Sequence, residues 1–322
     1  MAEYIVHKAV ELSKVRAKRR AELSAPGFLE AHYIAQPKFD GCNLVIEVHE
    51  DNSGDRWTYA YSRTGEPIKS VGHIEIALAT LPGLDYGVYL GEAWCPDAEF
   101  NEISGWFRRQ EADEETCRLQ FAVFDALTIQ EWDAGFSDVP YEQRANRIAA
   151  LTHVKQGAAP VWSAGSFGRI AETWQNTTAQ DVCNKLVEAG GYDGLILRDP
   201  QGQWRKGDRG TGGEIIKIKR KLSFDLRVTG VEEGKGKHTG RVGALLVDFN
   251  GQTLRVGTGF SDDERNRWWA ARNGPHRNPH YCSSDQIIGA IVEIEAMDYS
   301  SDGLLREPRL KGLRLDKTEP DA

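Results

Sequence analysis

The sequence predicts an α+β protein in two parts, with antiparallel sheets and helices over residues 1–222 and a small β-barrel over residues 223–322. Three observations predict it. Strand-like alternation and helix-like spacing are interleaved as far as residue 222. Beyond that point short strands are separated by glycine-rich turns, with a single helix among them. The length, 322 residues, exceeds the size at which one core usually splits in two.

Taken in order, residues 3–23 read as a helix. Ile5, Ala9, Leu12 and Val15 share related faces, and the basic second half suits the negative end of a helix dipole. Residues 32–48 read as strand, turn and strand. At their centre stands Gln36-Pro37-Lys38-Phe39-Asp40-Gly41. Pro37 biases the preceding residue to extended backbone, and Gly41 permits an approach that a Cβ would forbid, so Lys38 is expected at a strand edge facing a pocket. Asp51 to Asp55 is a hairpin turn, Trp57 to Tyr61 a strand, and His73 to Leu81 a helix stopped by Pro82-Gly83. Val88 to Leu90 and Leu119 to Leu127 are strands, the second buried; Tyr141 to Leu151 and Ala179 to Ala189 are amphipathic helices. Gly190 to Gly194 turns into the apolar strand Leu195 to Leu197, and Ile215 to Lys219 alternates apolar and basic. In the second part, Leu226 to Val231, Ala244 to Phe249, Thr253 to Val256 and Ile291 to Ala296 are short strands, the pattern of an OB-fold barrel. Gly234 to Gly240 is a loop, and Ser261 to Ala271 is a helix with a capping box from Ser261 and Glu264.

Apolar content is 40% and charged content 27%, an ordinary water-soluble composition. No apolar run approaches the ~20 residues of a membrane span, and the N-terminal region carries the basic stretch Lys14 to Arg20 instead of an apolar signal core. Five scattered cysteines without a Cys-x-x-Cys pair argue against a zinc module and a disulfide framework. A soluble, cytoplasmic monomer without membrane contact is therefore expected. The net charge of −8 is unevenly spread. Residues 85–138 hold 13 acids and 3 bases, a balance of −10, while residues 198–227 hold 9 bases and 4 acids, a balance of +5. Such a chain can present a basic channel while staying acidic as a whole.

Several elements end in groups suited to nucleotide chemistry: Lys38, Arg63 after a strand, Glu92 at a strand end, Asp193 before an apolar strand, and Lys217 and Lys219 on one face of a strand. Phe124 is an aromatic on a buried strand. Each has a plain structural explanation alone: turn acids, a core aromatic, charges guarding a sheet edge. Together they resemble the ATP-dependent DNA ligases, compact bacteriophage-type, within the nucleotidyltransferases that form a lysyl-AMP. The resemblance rests on Lys38-Phe39-Asp40-Gly41, Ser62-Arg63-Thr64-Gly65, Gly91-Glu92, Val123-Phe124-Asp125, Asp193 to Arg198 and Lys217-Ile218-Lys219, in the family's order. Phe100 to Gly105 and Arg314-Leu315-Asp316-Lys317 add to it.

The resemblance implies an ATP-grasp-like ligase nucleotidyltransferase domain over 1–222 and an OB-fold domain over 223–322. It implies a DNA ligase of repair, replication or recombination that uses ATP and Mg²⁺ on nicked double-stranded DNA. Lys38 would attack the α-phosphate, AMP would pass to the 5′-phosphate of the nick, and the 3′-hydroxyl would displace AMP. An ordinary lysine with a pKa of ~10.4 is neutral in only about one molecule in a thousand near pH 7, so cationic neighbours such as Lys217 and Lys219 are expected to lower it. Gln36, Pro37, Glu92 and Phe124 would hold the nucleotide, with Arg314 and Lys317 near its β- and γ-phosphates. Asp193, where the family has Glu, and Glu92 would hold the metal. Arg63, Arg198, Lys235 and Lys237 would contact DNA, Arg63 gripping the 5′-phosphate. Ser223 to Asp225 is the expected hinge. Asn43 stands where the family has Arg, and Arg198 or Arg205 is the expected compensation. The segment before Lys38 is too short for the extra domain of NAD⁺-dependent enzymes. Two alternatives remain at this point: an RNA ligase or capping guanylyltransferase, and an inactive nucleic-acid-binding homologue.

Overall fold

A computed structural model describes residues 4–153, 160–220, 222–271, 286–300 and 303–321. It divides into two compact units, Met1–Lys219 and Arg220–Ala322.

The strands of the first unit are β1 (Ile34–Phe39), β2 (Cys42–Glu50), β3 (Arg56–Ser62), β4 (Gly87–Trp94), β5 (Gln120–Leu127), β6 (Phe136–Ser137), β7 (Val161–Ser163), β8 (Tyr192–Arg198), β9 (Trp204–Arg205) and β10 (Ile215–Ile218). They form a five-stranded sheet in the order β3-β2-β4-β5-β7, a three-stranded sheet β1-β8-β10 and a two-stranded ribbon β6-β9. Pairing is antiparallel apart from β5 with β7. Hydrophobic alternation assigns the faces. On β8, Leu195 and Leu197 are fully buried, and with Ile216 of β10 they pack towards Val182 and Cys183 of the helix Ala179–Ala189. The alternate residues Ile196 and Arg198, with Lys217, face a cleft instead. In the five-stranded sheet, Leu44, Ile46, Phe121 and Val123 pack with Ile74, Leu78 and Ile103 from two helices, Gly72–Thr80 and Phe100–Phe107.

Two glycines let the sheets close around the cleft. A Cβ on Gly41 would lie 2.3 Å from the Ala93 carbonyl oxygen and 2.9 Å from Glu92 Cγ. A Cβ on Gly194, at φ +139°, would lie 2.1 Å from the Ile218 oxygen.

The N-terminal region departs from the expected helix. Only Ala17–Leu23 is α-helical, preceded by a short 3-10 turn, Leu12–Lys14. Val10 instead makes a parallel bridge to Ile216, with Val10 N–H donating to Ile215 O and Lys217 N–H donating to Val10 O. The free edge of β10 outcompetes helix propensity for these backbone groups. The helix expected over Tyr141 to Leu151 is α-helical only over Tyr141–Arg144, and continues as 3-10 turns with a non-helical break at Ile148.

In the second unit, β11 (Leu222–Glu233), β12 (Val242–Phe249), β13 (Gln252–Val256), β14 (Ile291–Ala296), β15 (Asp298–Tyr299), β16 (Leu305–Arg306) and β17 (Arg309–Leu313) surround a core centred on the fully buried Trp268 of the helix Asp262–Ala271. The barrel expectation needs correction. The five-stranded sheet has the open order β13-β12-β11-β14-β17 among the described residues. Among the described residues one isolated bridge, Thr258 to Arg309, joins the region after β13 to β17. β11 pairs with β14 along its first half and with β12 along its second, with register shifts at Val228/Gly230 and Glu232/Glu233 that bend the strand. Ser223 to Asp225, the expected hinge, are paired residues of β11 whose dihedrals the ladder to β14 fixes. Cys282 lies outside the described residues, and none of the described helices is long and apolar enough to cross a membrane.

Candidate active site

The two sheets of the first unit leave a cleft of about 1880 Å³ between them. Gln36 and Lys38 lie two apart on β1 and so project to one side, into this cleft. Pro37, Arg63, Glu92, Phe124, Arg198 and Lys217 also line it.

Lys38 Nζ is in ion-pair contact with Asp193 Oδ2, and Lys219 Nζ reaches the same oxygen at 3.0 Å. The register explains the meeting: Lys38 pairs with Gly194 across the β1-β8 ladder, next to Asp193. Burial alone would raise the Asp193 carboxyl, but Lys38 and Lys219 outweigh it and hold the pKa below the ordinary value. Lys217 is held low, first by burial and then by Lys219 and Lys38.

Glu92 faces Asn43 across the β2-β4 pair. Burial pushes its carboxyl up to about 7, against the opposing pull of Lys38 and a hydrogen bond with Asn43. The folded pKa therefore lies above the unfolded one. The contribution of Glu92 to stability is complete below about pH 4.5 and is lost as pH rises through 7. Glu92→Gln removes the titration. Thermal melts of both proteins should show the variant gaining a few degrees relative to wild type between pH 5 and pH 8. A difference that stays flat with pH would contradict the assignment.

One wall of the cleft is backed by a buried arginine. Arg198 is 5% exposed, lies over the Phe124 ring at 4.6 Å and over Tyr141 at 4.8 Å, and donates from Nε to Gln36 Oε1 at 2.6 Å. Gln36 Nε2 donates to Gly165 O at 2.9 Å. Arginine can only donate and a carbonyl can only accept, so the orientation of the Gln36 amide is fixed. Behind them Asp125 binds Arg144 through two oxygens, at 3.0 and 2.9 Å, and lies 3.8 Å from Arg198. In the sequence Asp125 stands out only as part of Val123-Phe124-Asp125. A charged residue in a run as apolar as Leu119 to Leu127 was the available signal that a buried partner exists.

Arg63 is exposed on the turn after β3, with its guanidinium 5.4 Å from the Tyr4 ring centroid. Tyr4, Lys8 and Val10 of the extended N-terminal segment line the cleft too. The helical reading of residues 3–23 hid them. Arg205 pairs with Asp138 at 3.7 Å and is not among the lining residues. Asn43 donates to Gly91 O at 3.2 Å.

Four predicted residues belong to the second unit. Lys235 and Lys237 are exposed on the loop around the short 3-10 turn Gly236–His238. Arg314 pairs with Asp225 at 2.6 Å and with Asp316 at 2.7 Å, and Lys317 contacts Asp225 and, at 3.0 Å, Asp321. Asp225 is 3% exposed, so in this state both cations are neutralised within their own unit.

Of the two expected metal donors, Glu92 lines the cleft, as do Glu11 and Glu66, while Asp193 is paired with Lys38 and Lys219; no group of three potential ligands occurs among the described residues. Mg²⁺ is commonly held by one or two carboxylates together with substrate phosphates and water, a donor chemistry that such carboxylates supply.

Residues 19–219 match the family model described as the ATP dependent DNA ligase domain, and residues 233–314 match the DNA ligase OB-like domain. A protein named DNA ligase from Natronomonas pharaonis is 27% identical over 307 residues, covering 89% of this chain and 52% of its own length. The chain spans about half the length of the curated relatives it matches first. The ATP-dependent DNA ligase of bacteriophage T7, solved with ATP, superposes with a TM-score of 0.51 at 20% identity, over 96% of this chain and 98% of that one. A Lig E DNA ligase gives a TM-score of 0.59 at 17% identity, over 95% and 99%. At these identities the likeness is one of fold.

Proposed function

The chain belongs to the ATP-dependent DNA ligase family, and we propose that it seals nicks in duplex DNA through an AMP carried on Lys38. The observation that carries this reading is the single cleft in which Lys38 lies within reach of Asp193, and through it of Lys219, with Glu92, Phe124 and Lys217 on the surrounding walls.

In the proposed first step the Lys38 amine forms an N–P bond to the α-phosphorus of ATP, and the bond to pyrophosphate breaks. Lys217 and Lys219 supply positive charge where phosphate oxygens gather negative charge. Phe124, stiffened by the Arg198 guanidinium behind it, offers a face for adenine. Asp193 holds Lys38 on the cleft side of β1 before reaction. Mg²⁺ would be held by Asp193 and Glu92, and supplies charge neutralisation on the phosphates when bound. AMP then moves to a 5′-phosphate gripped by Arg63, and the 3′-hydroxyl displaces it. Arg314 and Lys317 would serve the β- and γ-phosphates only after giving up Asp225. Lys235 and Lys237 are free to contact the DNA backbone, with affinity that falls as salt rises. Arg198, being buried, positions Gln36 and Phe124 rather than meeting DNA.

A nicked duplex oligonucleotide incubated with the protein, Mg²⁺ and either ATP or NAD⁺ tests the reading. Sealed product with ATP alone is expected. Product with NAD⁺ alone, or on nicked RNA but not on DNA, would overturn it.

A further inference from the structure

The proposed DNA contacts of Lys235 and Lys237 depend on where their loop points, and one buried cation holds the base of that loop. Arg265, on the helix Asp262–Ala271, is 9% exposed, with its guanidinium 4.1 Å from the Phe260 ring centroid. Nη1 donates to Val242 O at 2.7 Å and to Gly243 O at 3.2 Å, and Nη2 donates to Gly257 O at 3.1 Å. The first two carbonyls open β12, directly after the loop, and the third follows β13. None of these partners is a carboxylate. Burial holds the Arg265 pKa below its ordinary value, against the pull of Asp262. An apolar side chain would fill the same space without that cost. What the guanidinium adds is a fork of donors that ties three separate backbone points together.

Above this anchor the loop is braced as one piece. Gly234 N–H donates to Arg241 O at 2.9 Å across the neck, and Gly240 N–H donates to Glu233 Oε1 at 3.0 Å. Within the loop His238 N–H donates to Lys235 O at 3.2 Å. The neck is closed backbone to backbone: a Cβ on Gly243 would lie 2.5 Å from Gly234 Cα, and a Cβ on Gly234 would lie 2.4 Å from His238 Cβ. The direction of the neck is therefore set at Val242 and Gly243, the two residues whose carbonyls Arg265 holds. The same helix ties the loop a second time, through Asp262 at 3.3 Å from Arg241. The charge of Arg265 is also felt in the loop: burial, and after it Arg265, hold the His238 pKa below its ordinary value.

We propose that Arg265 is a positioning residue for DNA binding: it fixes the loop Gly234 to Gly240 so that Lys235 and Lys237 meet the phosphate backbone already in place. This rests on the reading above in which those lysines contact DNA. Ordering a loop on contact costs affinity, and a loop held beforehand is spared that cost. The competing role, support of the helix against the sheet and nothing more, makes a different prediction for DNA.

A nicked duplex with a 3′-dideoxynucleotide at the nick cannot be joined, so its binding to the full chain can be read by fluorescence anisotropy over a salt series. Replacing both Lys235 and Lys237 by Ala should lower the slope of log K against log salt by about two, one for each lost phosphate contact. Arg265→Met, which keeps the bulk and removes the donors, should weaken binding about tenfold and flatten the slope as well. Arg265→Lys keeps the charge without the fork and should lose less, about threefold. In the protein that lacks both lysines, Arg265→Met should cost nothing further, because the loop no longer has contacts to place. An equal loss with and without the lysines overturns the proposal, as does a folded Arg265→Met with wild-type affinity and slope. If thermal melts show that Arg265→Met does not fold, the same comparison with Arg265→Lys decides. A loss confined to the protein that has its lysines supports the proposal, and no loss, or an equal one in both backgrounds, overturns it. Wild-type binding by the protein without the lysines removes the loop contact, and this inference with it. Labelling by radiolabelled ATP tests the rest of the ligase reading separately.

Discussion

Lys38→Ala is expected to abolish covalent labelling by radiolabelled ATP and to reduce nick sealing by roughly a thousandfold or more, because no other group can take the place of a deleted nucleophile. Lys217 and Lys219 are close in sequence and charge, yet neither can substitute. Lys219 is anchored on the same Asp193 oxygen and lies beyond the end of β10, and Lys217 projects from β10, across the β8 strand from β1. Lys38→Arg should be equally inactive. A guanidinium stays protonated at any pH the fold survives, so it can pair with Asp193 but cannot attack phosphorus. The alanine variant should keep its fold, since the lysine is half-buried and its removal leaves Asp193 paired with Lys219 at 3.0 Å. Undiminished labelling of Lys38→Ala would remove the nucleophile from the account.

The largest effect on stability is expected at Asp125. Its side chain is 2% exposed and that of Arg144 3%, and Arg198 stands 3.8 Å away. Arg144 also donates to the carbonyl oxygens of Val139 at 2.5 Å and Gly202 at 3.0 Å, which ties the β5 strand to two loops. Asp125→Ala leaves two buried guanidinium groups without their carboxylate. Breaking such a pair from one side costs about 3–5 kcal/mol. For a unit of this size that is a fall of roughly 10 °C in melting temperature. Phe124 is the neighbouring residue and lies under Arg198, so the KM for ATP should rise in the protein that remains folded. Asp125→Asn keeps the shape and some hydrogen bonds and should lose less. A melting temperature within a degree or two of wild type for Asp125→Ala would show that Arg144 and Arg198 find other partners.

What the sequence made legible follows the range of its patterns. Lys38, Glu92, Phe124 and Lys217 sit in short segments where alternation with buried neighbours assigns each side chain a face, and all four line the cleft. The antiparallel sheets and most helices are likewise written in local spacing. What depends on distant partners was not legible. Residues 4–10 have passable helix spacing, but their backbone groups go to Ile215, Asp208 and Arg63, far along the chain. The pairing of Asp125 with Arg144 and of Arg198 with Gln36 is likewise a property of the folded sheets alone. The second unit shows the same limit: the count of strands suggested a barrel, while the order in which they pair, open among the described residues, depends on partners distant in sequence. The pairing of Arg314 and Lys317 with Asp225 could not be foreseen, because Asp225 lies about ninety residues upstream of them.

The most direct measurement is to incubate the protein with ATP and Mg²⁺, digest it under conditions that preserve a phosphoramidate, and locate the added AMP by peptide mass spectrometry. The account predicts one AMP, on the Nζ of Lys38. AMP on another residue, or a protein that binds nicked DNA and never acquires AMP, would contradict it.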